Sequence, residues 1–232
     1  TETILFVDDE EDIVKMRTRM LSYLGYRLLP ATSPEQALGD LSGGRERIES
    51  FARRFAPDFL QAPAAVARIA ELHRRKNAHY AAIVQQGGLP LRPGVPRLLD
   101  ELAAAGLRLA VATTTSRANL EVLLGATLGA DAMSRFEFAV CGEDVACKKP
   151  DPEAYLLALR RLQLPAARCV AVEDSANGLR AALGAAIPTV IVRSLYTHGE
   201  DFAGALQSFD GYADGAAPAG RRQLSAALLI GA

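Results

Sequence analysis

The chain has 232 residues, half of them hydrophobic, and a formal net charge of −1. That length and apolar content suit one large domain or a domain with a smaller companion, and the near-zero charge argues against a general nucleic-acid binder. No apolar run approaches the length of a membrane span and no secretory leader is evident, so a cytoplasmic protein without a membrane partner is expected, its three cysteines, Cys141, Cys147 and Cys169, being reduced thiols without metal-ligand spacing.

The N-terminal stretch Ile4 to Val7 is apolar and reads as a buried strand, followed at once by the acids Asp8, Asp9, Glu10, Glu11 and Asp12. Five acids held close together would repel one another if ionised, which a cation or solvent exposure relieves. A helix is predicted next, with Ile13, Met16, Met20, Leu21 and Leu24 on one side and Gly25 at its end. Tyr26 to Leu29 reads as a strand and Pro34 to Leu38 as a short helix. From Leu41 the pattern turns helical, over Ile48 to Phe55 and again from Ala64 to about Gln86. Gly87-Gly88 then breaks it and reads as a hinge.

Beyond the hinge, strand and helix alternate. Pro96 to Ala105 is a predicted helix closed by Gly106, and Leu107 to Ala112 a strand ending in Thr113-Thr114-Thr115-Ser116. Four hydroxyls at a strand's carboxyl end can be plain loop polarity or a phosphate cradle, and a helix starting at Arg117 would add its dipole. Phe136 to Cys141 is a further strand. After a loop carrying Lys148 and Lys149, Asp151-Pro152 opens a helix with Tyr155, Leu156, Leu159 and Leu162 on its apolar side. Val170 to Val172 is another buried strand, followed by Glu173 and Asp174. Ser175 is placed to cap a helix through Leu183, with Gly184 as its left-handed C-terminal cap, and Pro188 to Val192 returns as a strand.

Strand, helix and strand in so few residues imply a parallel crossover, and in such sheets ligands bind beyond the carboxyl ends of the strands. Glu173 and Asp174 stand at such an end, either as part of a helix cap or as a Mg²⁺ site, since hard cations take carboxylate oxygens. An acid cluster, a hydroxyl cluster, a lysine and an acid pair on converging strand ends fit phosphoryl transfer, with an aspartate nucleophile as the covalent route.

Over about residues 42–209 the chain resembles the haloacid dehalogenase (HAD) superfamily, and within it the CbbY-like sugar-phosphate phosphatases, relatives of β-phosphoglucomutase. The matching pieces are GGRERI at 43–48, HRRKNAHY at 73–80, LRPGVPRLLDEL at 91–102, LAVATTTS at 109–116, KKPDPEAYLLAL at 148–159, VAVEDSANGLRAA at 170–182 and YTHGEDFAGA at 196–205, in the family's order and spacing. The resemblance implies an α/β fold: a Rossmann-like core with a parallel sheet, over residues 1–12 and 89–232, and a helical cap over 13–88. It implies a Mg²⁺-dependent phosphatase acting on a small phosphorylated sugar, xylulose-1,5-bisphosphate-like, through an aspartyl-phosphate; a monomer is expected. It makes Thr113 the hydroxyl that binds the transferring phosphoryl group, with Thr114 and Thr115 beside it. Lys149 becomes the fixed cation and Asp174 the Mg²⁺ ligand with Glu173 next to it. Arg45 and Lys76 fall on cap positions that contact the substrate's second phosphate or its hydroxyls.

The family's first motif is hhhDxDGT, and this chain reads ILFVDDEED. One alignment puts Val7 at the nucleophile and Asp9 at the acid/base position. The other puts Asp8 at the nucleophile and Glu10 at the acid/base position, and neither keeps the Gly-Thr. Residues 3–38 instead resemble the first half of a response-regulator receiver domain, in which the acids corresponding to Asp8 and Asp9 hold Mg²⁺. Asp8 is taken as nucleophile and metal ligand, with Asp9 or Glu10 as proton donor.

Overall fold

The computed structural model describes residues 3–7, 27–31, 44–55, 57–87, 89–194, 197, 199–212 and 222–230. By its internal contacts the chain divides into two compact units, Thr1–Lys76 and Asn77–Ala232.

In the first unit, strands β1 (Thr3–Val7) and β2 (Arg27–Ala31) run parallel, Thr3 opposite Arg27 and Val7 opposite Ala31. Both strands coincide within two residues with the apolar runs read from sequence. The helices are α1 (Gly44–Phe55), α2 (Pro57–Gln61) and α3 (Ala65–Gln85), the last running on into the second unit. Helix α1 starts earlier than predicted, at Gly44, and α2 is a short helix that Pro57 opens and that was not predicted. The expected helices over 13–24 and 34–38, and the acids Asp8, Asp9 and Glu10, lie outside the described residues.

The second unit alternates strand and helix. Helix α4 (Val95–Ala104) leads to β3 (Ala110–Ala112), α5 (Arg117–Leu128) to β4 (Phe138–Val140), α6 (Glu153–Leu162) to β5 (Ala171–Glu173), and α7 (Ala176–Gly184) to β6 (Thr189–Val192). Strand β7 (Gln207–Phe209) follows. The last elements are β8 (Gly211–Tyr212), β9 (Gln223–Leu224) and the short helix α8 (Ala226–Ile230), none of which was predicted. Every pairing is parallel: β3 with β4, β5 with β6, β6 with β7, and β8 with β9. Strand β6 is buried along its whole length, as suits the apolar run Val190 to Val192, and the hydroxyl of the buried Thr189 donates to Ile187 O. Val190 and Val192 pack with Leu98 and Leu102 of α4, Phe209 and Leu224. A second cluster joins Ala171, Ala181, Ala182, Ala185 and Ile187 to Tyr155. Fully burying a valine contributes about 1.5–3 kcal/mol, so the pair on β6 is a substantial anchor for the strands that end at the site.

Two turn assignments differ from the sequence reading. Gly184 is the last residue of α7 and not a left-handed cap, and the positive φ falls two residues later, on Ala186 at 59°. Gly184 answers to packing instead, since a Cβ there would stand 3.2 Å from Pro152 Cβ. Asp151 lies one position before the helix cap, yet its Oδ1 accepts the amide of Glu153 at 2.9 Å, so the capping chemistry is kept. The predicted glycine breaks at Gly87 and Gly106 both adopt φ of 75°. Among the described residues, no helix is long and apolar enough to cross a membrane.

Candidate active site

Three strand ends of the second unit converge. At the end of β3, Thr113 N donates to Val140 O at 2.9 Å, which carries the pairing with β4 one residue into the hydroxyl run. Thr113 Oγ1 accepts the amide of Thr115 at 3.1 Å, and Thr115 O accepts Gly142 N at 2.8 Å. The turn is thereby tied to itself and to the neighbouring loop. Ser116 caps α5 through the Asn119 amide, and the buried Asn119 side chain donates to Thr115 Oγ1 at 3.5 Å and to Asn77 Oδ1 at 3.3 Å. Helix α5 starts at Arg117 as expected, and its first amide has a partner. Both carboxylate oxygens of Glu143 accept the Arg117 amide, at 3.2 and 3.3 Å.

The loop between β4 and α6 delivers Lys149. Its brace is made of carboxylates accepting amides: Asp144 from Cys141, and Glu153 from Ala146 at 3.0 Å and Cys147 at 2.6 Å. Cys147 Sγ lies near Asp151 and Glu153, one ligand atom from each falling within 4.8 Å of the others, but Glu153 already uses both oxygens on these amides. The amides of Cys147 and Ala146 hold the Glu153 carboxyl below its ordinary value of 4.5. A lowered folded-state pKa adds stability that is present above the unfolded value and is lost as pH falls through the folded one. Glu153→Gln is therefore expected to be less stable than the parent at pH 7 and to converge with it below pH 4.5, as read by thermal melts across pH.

Lys149 is buried, 9% exposed, and its ammonium donates to Ala112 O at 2.8 Å and to Glu173 Oε1 at 2.5 Å. One side chain thus spans the ends of β3 and β5. A buried cation needs such a partner, because charge is costly away from water unless paired. Glu173 closes β5, one residue later than the predicted strand end, and its carboxylate lies over the first turn of α7 at Gly178, where a Cβ would overlap it. Its Oε1 also accepts the Tyr155 hydroxyl. Ser175 caps α7 as read from sequence, accepting Gly178 N at 3.1 Å, and Glu200 adds a carboxylate at the Ala176 amide.

Asp174 stands beside this network, exposed as a residue but with its carboxyl partly withdrawn from water. Desolvation raises its carboxyl above the ordinary 3.8, the Glu173 charge raises it further, and Arg92 and Lys149 pull the other way. Arg92 is itself fixed, donating to Val192 O at 3.1 Å and Arg193 O at 2.6 Å and lying 5.0 Å from the centroid of Tyr212. A hard anionic oxygen with too little positive charge around it fits a hard divalent cation such as Mg²⁺.

In the first unit, Arg45 pairs with Glu49 at 3.4 Å. The start of α1 packs on α3: a Cβ at Gly44 would stand 2.8 Å from the His73 ring and 3.0 Å from Lys76 Nζ. Burial and the Arg47 charge depress the Lys76 ammonium pKa.

Of the residues expected at the site, Thr113, Thr114, Thr115, Lys149, Glu173 and Asp174 come from the three converging ends, and Arg45 and Lys76 lie on helices of the first unit. Tyr155, Arg92, Glu143 and Glu200 were not singled out by sequence. Arg92, Tyr155 and Glu200 do fall within the matching pieces LRPGVPRLLDEL, KKPDPEAYLLAL and YTHGEDFAGA, while Glu143 lies in none of them.

Residues 5–186 match the family described as haloacid dehalogenase-like hydrolase. The plasmid-borne protein CbbY of Cupriavidus necator is 45% identical over 178 residues, 77% of this chain and 70% of that protein. The crystal structure of CbbY from Rhodobacter sphaeroides in complex with phosphate superposes with a TM-score of 0.69 at 39% identity, covering 90% of this chain and 93% of that one. A mutant of the same protein, in complex with xylulose-1,5-bisphosphate, gives 0.68 at 38% identity over the same shares. The chain belongs to the haloacid dehalogenase-like hydrolase family and is one of its phosphatases.

Proposed function

We propose that the chain is a Mg²⁺-dependent phosphatase that hydrolyses a small sugar phosphate or bisphosphate through an aspartyl-phosphate on Asp8. The observation that carries this reading is the Lys149 ammonium, fixed between Ala112 O and Glu173 at the strand end where the hydroxyl turn begins. A preorganised cation beside turn hydroxyls suits the equatorial oxygens of a transferring phosphoryl group. The CbbY structures with phosphate and with xylulose-1,5-bisphosphate support the same substrate class.

In this reading an Asp8 carboxylate oxygen attacks phosphorus and the bond from phosphorus to the sugar oxygen breaks. Asp9 or Glu10 gives the leaving alkoxide a proton. The same residue then takes a proton from water as it attacks the aspartyl-phosphate, and inorganic phosphate leaves with Asp8 regenerated. Thr113 and Lys149 hold phosphoryl oxygens, with Thr114 and Thr115 shaping the turn around them. Asp174, with Asp8, Asp9 and Glu173 as further oxygen donors, would hold Mg²⁺. When bound, the ion neutralises charge on the phosphoryl oxygens.

The cap is proposed to be residues 13–88 and the core residues 1–12 and 89–232. Arg45 and Lys76 would receive the second phosphate, a role supported by the burial and the Arg47 charge that disfavour the Lys76 ammonium, which an anion would offset. A monomer in the cytoplasm completes the proposal. A phosphate-release screen over sugar monophosphates and bisphosphates tests it, with bisphosphates expected as the better substrates. Release from none of them would leave an inactive phosphate-binding module.

A further inference from the structure

Tyr155 reads in sequence as an ordinary apolar position of a helix, and for packing alone a phenylalanine would serve. The structure instead buries the residue, 8% exposed, and points its hydroxyl at Glu173 Oε1, the oxygen that also accepts Lys149. Lys149 Nζ lies 3.4 Å from the Tyr155 oxygen and 4.7 Å from the ring centroid. A buried hydroxyl without a partner is costly, so this oxygen is held by the network and holds it in turn. Burial and the Glu173 charge keep the phenol far above its ordinary range, so it remains a donor to the carboxylate.

An ammonium has three N–H groups. Lys149 gives one to Ala112 O at 2.8 Å and one to Glu173. Among the described residues the third meets the Tyr155 oxygen at 3.4 Å and the ring face, and that distance is too long for a strong bond. We propose that Tyr155 is a positioning residue. Its hydroxyl fixes the Glu173 carboxylate that aims Lys149, and its weak hold on the third N–H leaves that proton for a phosphoryl oxygen. The proposal rests on the phosphatase reading in taking Lys149 as the group that meets the phosphoryl oxygens.

The test compares Tyr155→Phe, which keeps ring and packing, with Tyr155→Leu, which keeps neither. Losing a hydrogen bond to a charged group is expected to lower kcat about tenfold in the Phe variant. KM should stay within about twofold and the melting temperature should barely move. The Leu variant should lose at least as much rate and also melt earlier. Because the hydroxyl acts through Glu173, Tyr155→Phe combined with Glu173→Gln should be no slower than Glu173→Gln alone. A Phe variant with the parent's kcat, or losses that simply add, would overturn the proposal. Should the parent release no phosphate at all, the phosphatase reading falls and calorimetric binding of inorganic phosphate decides instead. Binding weakened severalfold in the Phe variant supports the positioning role, and unchanged binding rejects it.

Discussion

Asp174→Asn is expected to fold, to lose calorimetrically detectable Mg²⁺ binding, and to lose turnover by about a hundredfold to a thousandfold, the scale seen when one charge-stabilising group is removed from an active site. The fold should survive because the native environment already disfavours the Asp174 charge, through desolvation and Glu173. Removing that charge relieves the repulsion. Binding should fail because an amide oxygen carries no net charge for a hard cation, and because Glu173 has one oxygen occupied by Lys149 and Tyr155. Unchanged Mg²⁺ affinity in the variant would show that Asp174 does not hold the metal.

The second large effect concerns the first motif. Val7 cannot attack phosphorus, whereas Asp8 is the first polar residue after strand Thr3–Val7. Asp8→Asn should therefore abolish turnover and Asp9→Asn only reduce it. Glu10 reaches further than an aspartate, and the sequence has no Gly-Thr turn after it, so the proton donor is expected to sit off its productive position. Misplacement by about an ångström can lower a rate on the order of a hundredfold. The triple variant Val7→Asp, Glu10→Gly and Glu11→Thr, with Asp9 retained, rebuilds DxDGT and should raise kcat by a comparable factor. A triple variant no faster than the parent would mean that the VDDEE form is not what limits the rate.

Features of the site that follow from local chemistry were legible in the sequence. Ser175 caps α7 because its hydroxyl reaches an amide three residues on, and Thr113 to Ser116 follow a strand because the apolar run stops there. Features that depend on partners far along the chain were not. Lys149 meets a carbonyl 37 residues away and Tyr155 a carboxylate 18 residues away, and neither pairing leaves a trace in spacing or periodicity. Tyr155 was hidden more thoroughly, since a tyrosine on a helix's apolar stripe is read as core and its ring does pack there. At Gly184 the residue type suggested a turn, while the neighbouring Pro152 was the actual constraint. The partner of the Arg117 amide was not legible either, since Glu143 is a loop carboxylate 26 residues on that only the folded chain brings back to that amide. The family's motifs supplied the rest of the expectation, and the parts of it that fall on Asp8, Asp9 and Glu10 lie outside the described residues.

Phosphate release from xylulose-1,5-bisphosphate, measured with Mg²⁺ and again in excess EDTA, bears most directly on the central claim. Slow release with Mg²⁺, none in EDTA, and none in Asp8→Asn is the predicted result. Release that persists in EDTA, or that Asp8→Asn leaves untouched, would contradict it.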